Sequence, residues 1–310
     1  MRKPTTHAAD LDLVKTFWNT EACGTQFVAA PVGTPEFYEA YRRFRYDVEW
    51  HIPELIQWAG VAGKKVLEIG VGNGADGVLI VQSGGDYTGV DITETALEAS
   101  AAHFNCLKLK GKFRLENAEQ LSFGNAAFDV VYSYGVLHHT PHPEKAIEEV
   151  HRVLKPGGTA VIMLYHKHSF NYYVRIMGYM RIRVLLKIMC GAGNWSSNRS
   201  ELGLRFGIRG NQTREIWQAH YENFLRHGWR YLHPNEFVHH ATDGPDCPYA
   251  FVFTDRKVRT LFSRFAKVQT RVAHFPLRKY FNFNSFQIPL PVERALASSI
   301  GWYLIVRAIK

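Results

Sequence analysis

Residues 65–77 read Lys65-Val-Leu-Glu-Ile-Gly70-Val-Gly72-Asn-Gly74-Ala-Asp-Gly77. Lys65 to Ile69 is a short run suited to a buried strand, and a glycine follows it at once. Ala75 to Gln82 reads as a short helix that stops at Gly84-Gly85. Gly70 allows the sharp turn between the two. Gly72 and Gly74 carry no Cβ, so a ligand can come close to the main chain there. The start of the helix offers N–H groups to a polar or anionic ligand end.

Outward from this turn, Tyr87 to Asp91 reads as a second strand and Thr93 to Phe104 as a helix. Asp91 stands 21 residues after Gly70, where a carboxylate can accept both hydroxyls of a ribose. Lys112–Glu116 and Phe128–Ser133 follow as strands. Pro143 suits a first helical position, and Ala146, Ile147, Val150, Val153 and Leu154 mark one helix face. Pro156-Gly157-Gly158 closes that helix, and Thr159–Tyr165 is a fifth strand. Strands alternating with helices at this spacing predict βαβ units and a parallel sheet.

Gly72-x-Gly74-x-x-Gly77 also fits the dinucleotide fingerprint. In that fingerprint the first glycine directly follows the strand, and here that glycine is Gly70. An NAD-dependent oxidoreductase reading is therefore out of register by two residues.

The stretch Val66 to Gly74 resembles motif I of class I S-adenosylmethionine-dependent methyltransferases. Asp91, then Asn117-Ala118-Glu119, Phe128-Asp-Val-Val-Tyr-Ser-Tyr134-Gly135-Val-Leu-His138-His139 and Leu154-Lys-Pro-Gly-Gly158 fall in that family's order. The likeness is strongest over 60–165 and is nearest to the small-molecule branch called methyltransferase type 11. The closing run from Gly301 to Val306 is similar to the fold's last antiparallel strand. The resemblance implies an α/β, Rossmann-like, seven-stranded and mostly parallel sheet with helices on both faces. It further implies four regions: an N-terminal lid and helix (1–59), the S-adenosylmethionine-binding core (60–165), a helical insertion forming the acceptor pocket (166–300) and a closing strand (301–310).

By the same resemblance Gly70, Gly72 and Gly74 line the methionine moiety of the cofactor. Asp91 binds its ribose, Ile92 packs on adenine, and Ala118 and Glu119 lie at the adenine rim. Tyr134 and Gly135 pass under the sulfonium end, and Glu68 is a scaffold residue. The segment Phe17-Trp18 to Cys23-Gly24-Thr25 is similar to a lid in some members, so Trp18 is a cofactor candidate. Methyl transfer from a sulfonium is an in-line displacement in which the protein positions the acceptor and keeps water out. A base is needed only if the acceptor has a proton to lose. His138 and His139 follow the fourth strand and His166 the fifth, so these three are the candidate bases.

Charge divides the chain unevenly. Residues 1–165 hold 15 basic and 20 acidic side chains, a net of −5, and 166–310 hold 22 and 8, a net of +14. Those basic groups line a pocket for an anionic small-molecule acceptor, rest on a bilayer, or face water. Tyr172–Met189 places Arg175, Arg181, Arg183 and Lys187 among apolar residues, which suits either a peripheral membrane contact or a cover for the active site. The aromatics Tyr280, Phe281, Phe283 and Phe286 could stack nucleic-acid bases, but aromatics at this density are more often core. A lipid- or RNA-directed methyltransferase is thus a secondary reading, with nucleic acid the weaker.

The run His239 to Pro248 reads as a polar, turn-forming loop that could meet substrate. Cys23, Cys106, Cys190 and Cys247 show no C-x-x-C spacing, so no metal site is expected. Neither a secretory signal nor a spanning helix is visible, and a cytoplasmic protein is expected.

Overall fold

The computed structural model describes residues 7–20, 28–190, 213–275 and 289–310. In chain order α1 (His7–Thr20), α2 (Pro35–Val48) and α3 (Ile52–Ala59) precede β1 (Lys65–Ile69). There follow α4 (Ala75–Gln82), β2 (Asp86–Asp91), α5 (Glu94–Cys106), β3 (Lys112–Leu115), β4 (Phe128–Tyr134), α6 (Pro143–Val153) and β5 (Leu154–His166). A π-helical segment (Asn171–Met180) leads to α7 (Arg181–Cys190), α8 (Thr213–His227), α9 (Pro234–Thr242), β6 (Val252–Phe253), α10 (Asp255–Leu261) and β7 (Lys267–Ala273). A helix at Leu290–Ile300 and β8 (Tyr303–Ile309) complete the described elements. The chain splits into two compact units. One comprises Met1–Leu164, Asp255–Arg271 and Leu304–Lys310, and the other Tyr165–Thr254 and Val272–Tyr303.

In the first unit the strands are ordered β3-β2-β1-β4-β5-β8-β7. β1 pairs in parallel with both β2 and β4, β2 with β3, and β4 with β5. The chain thus runs outward from β1 to β3 and returns to place β4 on β1's other side. Such a reversal of strand order opens a crevice beyond the carboxyl ends of β1 and β4, where sheets of this kind bind ligands. β8 enters antiparallel. Gly157 N donates to Lys310 O, Lys310 N to Gly158 O, and Ala266 N to Ile309 O.

The strands form because they are apolar on both faces, as a sheet covered by helices requires. Val66, Leu67, Val130, Val131, Ala160 and Ile162 are all buried. Each of the valine, leucine and isoleucine side chains contributes on the order of 1.5–3 kcal/mol when fully buried. At the edge, β3 is mostly exposed and carries Lys112 and Arg114, charges that discourage pairing with another chain.

Two boundaries differ from the sequence reading. The helical pattern expected over Pro35–Ala59 is two helices, divided at residues 49–51. Pro53 explains the break: it has no N–H to bond back along the helix, and its ring would collide with the Glu49 carbonyl. β5 begins at Leu154 and not Thr159, because Phe128 pairs with Leu154 while Val130 pairs with Thr159. The intervening Pro-Gly-Gly is a bulge in the strand, not a turn before it.

The described residues of the second unit are mainly helical. Its Tyr165 and His166, the end of β5, pair in parallel with Val252 and Phe253 of β6. His239 and His240, expected in a loop, lie in the last turn of α9. His239 Nδ1 accepts from the Ala250 amide at 2.9 Å, and His240 Nδ1 lies 2.8 Å from the Pro245 carbonyl. The two rings pin the turn that follows them. Asn194–Gly210 and the aromatics Tyr280, Phe281, Phe283 and Phe286 fall outside the described residues, as do Cys23, Gly24 and Thr25. Among the described residues no helix is long and apolar enough to cross a membrane.

Candidate functional site

The turn after β1 is held from behind by side chains of neighbouring elements. Ser133 Oγ donates to the Ile69 carbonyl at 2.9 Å and Ser100 Oγ to the Gly72 carbonyl at 3.0 Å. The buried His103 ring donates through Nδ1 to the Asn73 carbonyl at 2.8 Å. Burial pushes the His103 pKa down to about 4, so the ring is neutral at physiological pH. With its carbonyls tied backwards, the loop can turn N–H groups forward.

Gly70 and Gly72 are needed for different reasons. Gly70 has φ +84°, and a Cβ there would lie 2.0 Å from Val136 Cγ2. Gly72 has φ +51°, and a Cβ there would meet nothing within 4 Å. The first glycine is required by the protein's own packing, whereas the second faces open space. Gly74 caps α4 without any side-chain hydrogen bond.

Asp91 ends β2. Its Oδ1 accepts from Thr93 N at 3.0 Å and Thr93 Oγ1 at 2.9 Å, while Oδ2 has a long contact to Gly72 N at 3.5 Å. Desolvation pushes this carboxyl up, against the Thr93 hydrogen bonds that lower it. Ile92 beside it is partly exposed. Glu68 is buried under the turn and accepts from Tyr87 OH at 2.5 Å. Burial, with Asp76 close by, holds the Glu68 carboxyl well above the usual range. It supports the loop through Tyr87.

Further along the same edge, Ala118 and Glu119 are buried. Glu119 Oε1 accepts from the His142 amide at 2.7 Å, fastening the β3–β4 connection to the start of α6. Tyr134 closes β4, and Gly135 turns the chain at φ +80° into a short 3-10 segment, Leu137–His139. His138 is fully buried, and burial pushes its pKa well down. The His139 ring centroid lies 4.3 Å from that of His138 and 5.0 Å from that of Trp18 on α1, in edge contact.

The structure therefore gathers Trp18, the glycine turn, Asp91, Ala118, Glu119 and Tyr134–His139 in one unit, at and beyond the carboxyl ends of its strands. His166 belongs to the other unit, where Nδ1 lies 3.1 Å from the Gly301 carbonyl.

One polar cluster was not expected from the sequence. Arg45 of α2 bonds both oxygens of the buried Asp76, each at 2.8 Å, and pairs with Glu49 at 3.1 Å. Burial alone would lower the Arg45 pKa, but Asp76 and Glu49 carry it well above its usual value. Tyr132 OH donates to Asp76 at 2.9 Å. The Tyr134 hydroxyl lies 2.8 Å from His51 Nε2 and 3.4 Å from Glu49 Oε1, with Arg45 over its ring. Burial pushes the His51 pKa down to about 4. This network anchors α2 and α3 under the end of β4. Its only sequence signal is the i,i+4 spacing of Arg45 and Glu49.

These residues fit S-adenosylmethionine. The space that a Cβ at Gly72 would fill is open, with no atom within 4 Å, and suits the amino-acid end. The Asp91 carboxylate at the end of β2, two residues before the α5 cap Thr93 and beside the glycine turn, suits a ribose diol.

Comparison with known proteins agrees. A family profile described as a methyltransferase domain matches residues 67–162. The ubiquinone biosynthesis O-methyltransferase of Pseudomonas aeruginosa (strain UCBPP-PA14) is 30% identical over 180 residues, 56% of this chain and 78% of that protein. The protein of the same name from Psychrobacter arcticus is 32% identical over 122 residues, 38% of this chain and 48% of the relative. Among solved structures, a SAM-dependent methyltransferase from Methanosarcina mazei aligns with a TM-score of 0.47 at 17% identity, covering 80% of this chain and 92% of that one.

Proposed function

Because the chain belongs to the S-adenosylmethionine-dependent methyltransferases, we propose that it methylates an oxygen atom of a small-molecule acceptor. The observation that carries this reading is the 30% identity, over 78% of their length, to proteins named ubiquinone biosynthesis O-methyltransferase. The bound cofactor supplies an electrophilic methyl group. Asp91 holds the ribose hydroxyls, and Gly72 leaves room for the methionine end. Trp18 lies against His139 and helps keep water from the reacting edge. The residues 166–300, which hold most of the excess positive charge, select the acceptor.

An acceptor hydroxyl must lose its proton as the new C–O bond forms. We assign that proton to a ring nitrogen of His139. His138 is the positioning partner: it is fully buried, kept neutral by burial, and its ring centroid lies 4.3 Å from that of His139. The test is turnover of isotopically labelled S-adenosylmethionine with a panel of phenols, catechols and hydroxylated carboxylates. Label is expected in an ether or ester that survives mild acid. His139→Ala should lower kcat by about 10²–10⁴, with S-adenosylhomocysteine affinity retained. Label found only on nitrogen, sulfur or carbon would overturn the oxygen assignment. An unchanged kcat in His139→Ala would overturn the base.

A further inference from the structure

Between Glu149 and Glu201 the chain has no aspartate or glutamate, yet it carries eight lysines and arginines. The described part of this stretch in the second unit ends in α7. There Ile182, Leu186 and Met189 are all exposed, Met189 at 75%. Their i, i+4, i+7 spacing aligns them on one face of the helix. Arg181 and Arg183 border that face.

α8 packs on α7, and it continues into a 3-10 turn at Gly228–Leu232. Here Leu225 and Trp229 are exposed, Trp229 at 69%, alternating with the exposed Arg226 and Arg230. A cavity of about 740 Å³ lies between these elements, with Arg181, Leu185, Trp229 and Arg230 in its wall. Arg181 Nε is buried and has no hydrogen-bond partner among the described residues. The first turn of α9 also lines the cavity, so the positive end of that helix faces it. The negative groups beside these arginines are Glu236, 3.8 Å from Arg230, and Glu222, 3.8 Å from Arg226, both loose pairs.

Large apolar side chains clustered on a surface mark a site of contact. Interleaved with arginine and tryptophan, they match a face that sits where hydrocarbon meets anionic headgroups. A second copy of the chain is a poor occupant, since the like charges of Arg181, Arg183 and Arg230 would face each other. We propose that the α7–α8 face of the second unit docks on an anionic lipid bilayer, with the cavity at Arg181 receiving a lipid phosphate.

Co-sedimentation of the full chain with vesicles tests this without reference to methyl transfer. Binding is expected to vesicles of phosphatidylcholine mixed with phosphatidylglycerol and not to phosphatidylcholine alone, and it should weaken as salt is raised. Ile182→Asp with Met189→Asp should lower the bound fraction roughly tenfold or more, while the melting temperature and S-adenosylhomocysteine affinity stay put. Arg181→Gln should weaken binding and Arg181→Lys should partly restore it. The proposal falls if the wild type ignores anionic vesicles or binds both kinds equally. It also falls if Ile182→Asp/Met189→Asp sediments as the wild type does. A dimer that this double variant dissolves, without vesicle binding, would assign the face to a second copy. Inorganic phosphate or glycerophosphate bound in solution, again without vesicle binding, would assign the cavity to a free anion.

Discussion

At Gly72 an added methyl group meets no protein atom within 4 Å, whereas at Gly70 it would lie 2.0 Å from Val136 Cγ2. Both residues have positive φ, so alanine at either pays roughly 1–2 kcal/mol for the left-handed backbone. At Gly72 that is the whole cost to the empty protein. For a domain of this size it lowers the melting temperature by about 2–4 °C per kcal/mol. Gly70→Ala adds overpacking of about 1–3 kcal/mol, for a total near 2–5 kcal/mol. Ligand affinity divides the pair the other way. If the space at Gly72 belongs to the cofactor, its new methyl group collides only when the cofactor is bound. The same 1–3 kcal/mol of overpacking then appears as about 5- to 150-fold weaker binding. Calorimetric titration with S-adenosylhomocysteine, beside melting curves of both variants, measures each term. Unchanged affinity in Gly72→Ala would show that the open space is not the cofactor's. A melting temperature as low as that of Gly70→Ala would show that it is not open.

Asp91→Ala should abolish most cofactor affinity, and an unchanged dissociation constant would refute the ribose assignment. Arg45→Met strands the buried Asp76 carboxylate and should destabilise the protein by about 3–5 kcal/mol, read as a lowered urea midpoint. His51 has a folded pKa near 4 against an unfolded value near 6.5. The stability it contributes is complete above pH 6.5 and is lost as pH falls toward 4, on the order of 3 kcal/mol in all. Melting temperature should therefore drop through that window, and His51→Gln should flatten the drop.

The turn after β1 was readable because its signals are local: an apolar run, glycines, then a helix. Asp91 was readable by distance along the chain, and Thr93 as the start of a helix, which it caps through Oγ1 accepting from Ala96 N. The Arg45–Asp76 pair was not. Its partners stand 31 residues apart, and nothing local says that Asp76, in a first helical turn where acids are common, is buried. The state of the two histidines after β4 was also hidden. Sequence placed both at the ligand edge, but the full burial of His138 depends on how the following turn packs. His239 and His240 misled because histidines amid turn-forming residues read as a loop, while Pro234 in the first turn of α9 begins a helix.

The position of β8 between β5 and β7 bears on how the chain acquires its structure. Gly157 and Lys310 meet across about 150 residues, a long-range pairing whose loop-closure entropy must be met before the contact forms. During synthesis β1 to β5 can assemble early, since their partners are close in sequence. The far side of β5 then presents bare N–H and C=O groups until Tyr303–Ile309 arrives. An unpaired strand edge of this kind is a template for wrong pairing. Slow closure of this one seam, and not instability of the finished sheet, is where expression of the chain is most exposed to aggregation.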